Sequence, residues 1–206
     1  MNPNSLSMAR WKVAKEAANY LYLGVEKEYK QAKLKAARTF GAHFLPTNLE
    51  VAIELDRIAE ETEGSERKER LVMMRKQALK LMKILKIYNP ILTGSVWRGT
   101  IHRGSDIDIK VYCNEPSNVV KEIAQHNIEI VQNQWMTVTK KGLKQSSFHI
   151  FLQLATREKA EIIVRRHEEA DCKERCEIYG DLVTGLDVQE LENILEKNPR
   201  QRFVPF

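Results

Sequence analysis

The chain has 206 residues, of which 43% are hydrophobic and 30% charged, with a net charge of +5. Those figures fit a soluble globular chain with one core domain and additions, and exclude a disordered or low-complexity one. No apolar run reaches the ~20 residues needed to cross a bilayer. The opening MNPNSLSMARWK lacks the charged and apolar regions of a signal peptide, so a cytoplasmic protein that does not bind membranes is expected.

In chain order, residues 8–40 read as a helix. Trp11, Ala14, Ala18, Leu21, Val25, Ala32 and Ala36 follow three/four spacing, and Gly41 and Pro46 stop it. This stripe either packs on the core or makes a dimer. Thr47 and Glu50 form a capping box that opens a helix to about Glu61. Gly64-Ser65 breaks the chain, and a longer helix runs from about Glu66 to Tyr88, ended by Asn89-Pro90.

The texture then changes. Ile91-Leu92-Thr93 is a short buried strand, and Ile107, Ile109 and Val111 alternate with Asp106, Asp108 and Lys110 at a period of two. A turn at 114–118 leads into a short helix over 119–126. Strands are expected at 128–138, 147–154 and 160–166, the last two joined by a hairpin loop at 155–159. From His167 the chain reads as charged and helical, with a final helix over 186–197. The fold class is therefore α+β, a small mixed sheet with helices before and after it. Three regions follow: N-terminal helices over 1–64, a core over 65–166 and a C-terminal helical extension over 167–206.

Cys113, Cys172 and Cys176 have no framework spacing, which argues against disulfides. Cys172 and Cys176 are placed on one helix face as ordinary small side chains. With His167 they still lack a convincing fourth ligand for structural zinc.

Charge is uneven. Residues 1–40 carry eight Lys/Arg against three Glu, and residues 67–86 carry eight against Glu69 alone. Residues 50–66 reverse the sign. A basic helical surface of this kind either attracts a polyanion or is a solvated lysine-rich face.

The chemistry sits in the segment from Leu92 to Ile109. A strand runs into Gly94-Ser95, where glycine permits a tight turn and close approach, and the following N–H groups suit phosphate. Eleven positions after Ser95, Asp106 and Asp108 lie two apart on a strand, which sends both carboxylates to one face. Like charges so placed want a cation, and hard oxygen donors suit magnesium. A nucleoside triphosphate held through a divalent metal is the reading these parts allow.

This segment resembles the signature of the polymerase-beta-like nucleotidyltransferase superfamily: a strand, Gly-Ser, about ten residues, then Asp-x-Asp within a strand. Arg98-Gly99 and Ser105 resemble its minimal branch in particular. The resemblance covers residues 90–112 closely and 65–166 in architecture, leaving 1–64 and 167–206 outside it.

It implies a nucleotidyltransferase-like core that uses Mg2+ or Mn2+ and a nucleoside triphosphate, with ATP the expected donor. It also implies a third acid on a neighbouring strand. Glu161 is the first choice and Glu129 the rival; with neither, the site binds nucleotide without turning it over. Gly94, Ser95, Arg98 and Arg103 are the expected triphosphate contacts, and His102 shares their loop. Lys110 pairs with an acid or meets phosphate. Trp97 and His149 fit packing better than chemistry. The acceptor is RNA docked on the basic helices or, as in some minimal-branch members, a protein or small molecule. A non-catalytic relative that binds nucleotide or nucleic acid is the third reading.

Overall fold

Thr47 nucleates the longest helix of the fold. Its hydroxyl accepts from the Glu50 N–H at 3.1 Å, and the Glu50 carboxylate accepts from the Thr47 N–H at 2.6 Å. Two orphan donors at the helix start are thereby satisfied. The computed structural model describes residues 3–140 and 143–205. Helix α3 spans Asn48–Ile84 with a sharp kink at Gly64, whose φ of 54° and ψ of −128° are non-helical. The break expected at Gly64 is thus a bend between two helical arms. A 3-10 turn over Lys86–Tyr88 and left-handed Asn89 bring the chain to Pro90.

Before α3 come α1, Pro3–Tyr22, and α2, Tyr29–Thr39. The single helix expected over 8–40 is two helices. Gly24, at φ 72°, lets the chain reverse, with its N–H donated to Leu21 O at 3.1 Å. The apolar stripe runs through both helices, which hid the break. Small residues dominate where α1, α2 and the first arm of α3 meet: Ala14, Ala17, Ala18, Ala32, Ala36 and Ala59 are buried there with Val13 and Val51.

Five strands follow: β1 Ile91–Thr93, β2 Ile107–Tyr112, β3 Glu129–Lys140, β4 Leu143–Gln153 and β5 Lys159–Arg165. They form one mixed sheet in the order β1-β2-β5-β4-β3, with β2 and β5 parallel and the other neighbours antiparallel. Alternation sends Ile107, Ile109, Val111, Ile150, Leu152, Ile162 and Val164 to one face, where they join Met74, Ala78 and Leu81 of α3 and Leu85 just after it. Val119 and Ile123 of α5 (Pro116–Gln125) and Leu191 of α6 (Val188–Lys197) complete that core. Each such side chain contributes ~1.5–3 kcal/mol by leaving water. The other face carries the polar half of β2 and β5.

The C-terminal region departs from the helical expectation. Among the described residues there, only a 3-10 turn at His167–Glu169 and α6 are helical; residues 170–186 form an irregular strap. Gly180 and Gly185, at φ 75° and 69°, break any helix there. Cys172 and Cys176 therefore share no helix face, and all three cysteines are free. The strap closes on β1, where Leu92 and Leu186 exchange backbone hydrogen bonds at 2.8 and 3.0 Å. The tail then crosses α3. Arg75, wholly buried, donates to the carbonyls of Val96, Trp97, Pro199 and Gln201. Among the described residues no helix is long and apolar enough to cross a membrane.

Candidate active site

Helix α4, Gly94–Arg98, starts where β1 ends, and Thr93 at the junction lies opposite Asp108 of β2. The turn needs glycine twice over. Gly94 has φ 67°, and a Cβ there would lie 1.9 Å from Asp108 Oδ2. The Asp108 carboxylate is thus cupped against backbone at the foot of α4.

Parallel pairing sets Glu161 of β5 directly beside Asp108. Side chains opposite each other in register share a face, so Glu161 joins the aspartates on the open side of the sheet. Glu129 lies on the outer strand β3, exposed, with β4 and β5 between it and β2. The Glu161 carboxylate meets His149 Nδ1 at 2.5 Å, and His149 Nε2 lies 2.7 Å from the hydroxyl of buried Ser147. His149, read from sequence as packing, instead holds Glu161 in place.

Burial raises the pKa of Asp108 to about 8, and the charges of Glu161 and Asp106 push it the same way, with Lys110 opposing. Asp106 is also raised, first by burial and then by Glu161 and Glu158, while Lys159 and Lys27 counter them. The acids therefore repel one another and lack full compensation. Among the described residues, no three acidic, histidine or cysteine side chains converge on one point as they would around an ion.

These residues open into a cleft of about 730 Å3, within the size range of small-molecule sites. Gly94, Ser95, Asp106 and Asp108 line its floor. Lys27 and Tyr29, from the start of α2 and the loop before it, form one wall, and Arg175 and Tyr179 of the strap another. Lys159, at the start of β5, lines it too. Lys27 and Lys159 were not singled out in the sequence; Lys159 lies two residues before Glu161 and so on the same face, whereas nothing local marks Lys27.

The two arginines of the motif loop are differently engaged. Arg98 borders the cleft but is buried, holding Asp181 through two nitrogens at 3.1 and 2.8 Å and the Phe203 carbonyl at 2.9 Å. Its guanidinium lies between the rings of Trp97 and Tyr179, at 4.4 and 4.5 Å. Arg103 lies over the Tyr22 ring at 5.9 Å. His102 is held down to about 4 by burial and by Arg70 and Arg67. Lys110 donates to Glu174 at 2.6 Å. Trp97 is packed, stacked on Phe203.

Much of the basic charge on α3 is spent within the molecule. Arg67 holds Asp56 and Glu60, and Arg70 clamps Glu158 and donates to the His102 and Ser105 carbonyls. Lys68 pairs with Glu60, Lys83 with Glu192, and Arg75 is buried. This face offers a polyanion less than the sequence count implies.

A Gly-Ser turn after a strand and two aspartates, one just before the next strand and one on it, line the floor of the cleft, and a glutamate lies beside them on a third strand of an α+β fold. Residues 74–169 match the model of the nucleotidyltransferase domain family. That match spans 96 of the chain's 206 residues. Among solved structures, one similar chain is described as a cytoplasmic RNA terminal U-transferase. It is 17% identical with a TM-score of 0.34, and the match covers 57% of this chain and 34% of that one. The match thus takes in about a third of that chain. No curated protein matches the chain.

Proposed function

We propose that the protein transfers a nucleoside monophosphate from ATP to an acceptor hydroxyl, with RNA as the acceptor, through Asp106, Asp108 and Glu161. The observation that carries this reading is Asp108, half-buried, seated against the backbone of Gly94 and flanked by Glu161 and Asp106. A half-buried carboxyl pushed up by two neighbouring acids suits a divalent cation, and an all-oxygen donor set suits Mg2+ or Mn2+. When bound, such ions neutralise the triphosphate and activate the attacking oxygen.

The chain's own residues do the rest. Gly94 and Ser95 receive the β- and γ-phosphates at the start of α4. Lys27 and Lys159 supply positive charge from the wall and the edge of the cleft. Arg98 adds positive charge while still holding Asp181, and Arg103 contributes from the rim. The acceptor oxygen bonds to the α-phosphorus, the bond to the β-phosphate oxygen breaks, and pyrophosphate leaves. Glu161 takes the hydroxyl proton, and His149 fixes the carboxylate that receives it. His149 is a positioning residue.

The test is incubation with labelled ATP and magnesium against total RNA and cell protein. Label is expected on RNA, lost on Asp106→Ala with Asp108→Ala and on Glu161→Gln, and retained on Glu129→Gln. Transfer that survives the double substitution overturns the site. Label on protein alone replaces RNA with a protein acceptor.

A further inference from the structure

We infer that the β4–β3 half of the open sheet face is the acceptor platform and that it takes a single strand of RNA; this rests on the transferase reading above. The sheet order sets the direction. Gly94 follows β1, Asp108 is on β2 and Glu161 on β5, so the donor's phosphates lie toward one edge of the sheet. Phosphoryl displacement is in line, with the attacking oxygen opposite the leaving group. The acceptor hydroxyl must therefore come from beyond Glu161, over β4 and β3.

The register gives what lies there. The row through Asp108 and Glu161 continues to Phe151 and then Gln132. The next row on the same face runs from Lys110 through Ile163 and His149 to Gln134. Phe151 is half-buried, stacked on His149 at 6.4 Å and 24°, while Gln132 and Gln134 are exposed. A fixed aromatic beside the reacting hydroxyl is a stacking surface for a base, and exposed amides both donate and accept at base edges.

Charge agrees with this occupant. From Ile130 to Arg157, 28 residues contain no Asp or Glu and four Lys/Arg, in a chain with 28 acids. Beyond Glu129, the described residues of this half of the sheet, 130–137 and 145–153, carry no acid, so nothing on them repels phosphate, and they adjoin the carboxylate of Glu161 that would use the strand's terminal hydroxyl. The basic helices, by contrast, have much of their charge paired.

The experiment measures binding of a fluorescent single-stranded RNA 12-mer to the full chain by anisotropy, without nucleotide. Wild type is expected to bind, more weakly as salt rises. Phe151→Ala should weaken binding roughly 5- to 100-fold, the range for loss of one stacked base. Gln132→Glu with Gln134→Glu, both exposed and harmless to the core, should weaken it at least about tenfold while labelled ATP still binds as in wild type. RNA binding unchanged in the glutamine pair variant overturns the platform. So does a concentration-dependent dimer that the same variant abolishes without altering RNA binding, since the face would then join two copies. A wild-type chain that binds RNA on this face and transfers no nucleotide sinks the transferase reading and spares the platform. One that transfers nucleotide while binding RNA equally well with or without these substitutions does the reverse.

Discussion

Gly94→Ala separates a clash from backbone strain, and the structure sets the size of each. A Cβ at this position would lie 1.9 Å from Asp108 Oδ2 and 2.8 Å from its Cγ, where ordinary contact begins at 3.4 Å. The carboxylate must therefore withdraw by about 1.5 Å, and misplacing a reacting group by ~1 Å can cost ~100-fold in rate. The left-handed backbone, at φ 67°, costs a non-glycine residue a further ~1–2 kcal/mol. For a chain of this size that lowers the melting temperature by roughly 2–8 °C. Gly41→Ala is the matched control: φ is 60° and nothing lies within 4 Å of the added Cβ. Both variants should lose similar thermal stability by circular dichroism, and only Gly94→Ala should lose transfer of labelled nucleotide, by ~100-fold or more. Equal transfer rates in the two variants would refute the claim that the Asp108 carboxylate works from its seat against Gly94.

Stability should also depend on pH through Asp108. A carboxyl raised to about 8 in the fold takes up a proton on folding between its unfolded value and that pH. Stability is therefore highest at the acid end and falls as pH rises through the window, by at most ~1.4 kcal/mol per unit, levelling off above it. Asp108→Asn should flatten this slope in urea unfolding between about pH 5 and pH 8, and magnesium should restore stability to wild type at the upper end and leave the variant unmoved; identical pH profiles would count against the burial argument. Arg75→Met should lower unfolding free energy by about 3 kcal/mol or more, because four carbonyls lose their donor. A near-neutral change in the urea midpoint would mean that the tail repacks without it.

Much of the centre is legible locally because it is built from short-range rules. Period two puts Asp106 and Asp108 on one face, a capping box marks Thr47, and a hairpin after β4 returns Glu161 to the sheet. What escapes sequence reading is fixed at long range. The insertion of β5 between β2 and β4 decides that Glu161, and not Glu129, lies beside Asp108. Lys27 reaches the cleft only because α1 and α2 fold back, and the break between them at Gly24 lies inside an unbroken apolar stripe. The strap at 170–186 has no period because distant partners hold it: Asp181 on Arg98, Glu174 on Lys110 and Arg165. Arg67 and Arg75 read as surface charge, yet their carbonyl and carboxylate partners come from the far arm of α3, the motif helix and the tail.

The bend at Gly64 makes α3 a jointed beam. At ~1.5 Å per residue its arms, 48–63 and 65–84, are ~24 and ~30 Å long. The first arm carries α1 and α2, and with them Lys27 and Tyr29; the second is packed beneath the sheet and the carboxylates. A turn of ~10° at this joint sweeps the far end of the shorter arm through ~4 Å, the scale of a phosphate group. A Cβ added at Gly64 would meet nothing within 4 Å, and Arg67 bridges the joint to Asp56 and Glu60 as its latch. The width of the cleft is thus tied to one backbone joint and to the guanidinium that pins it.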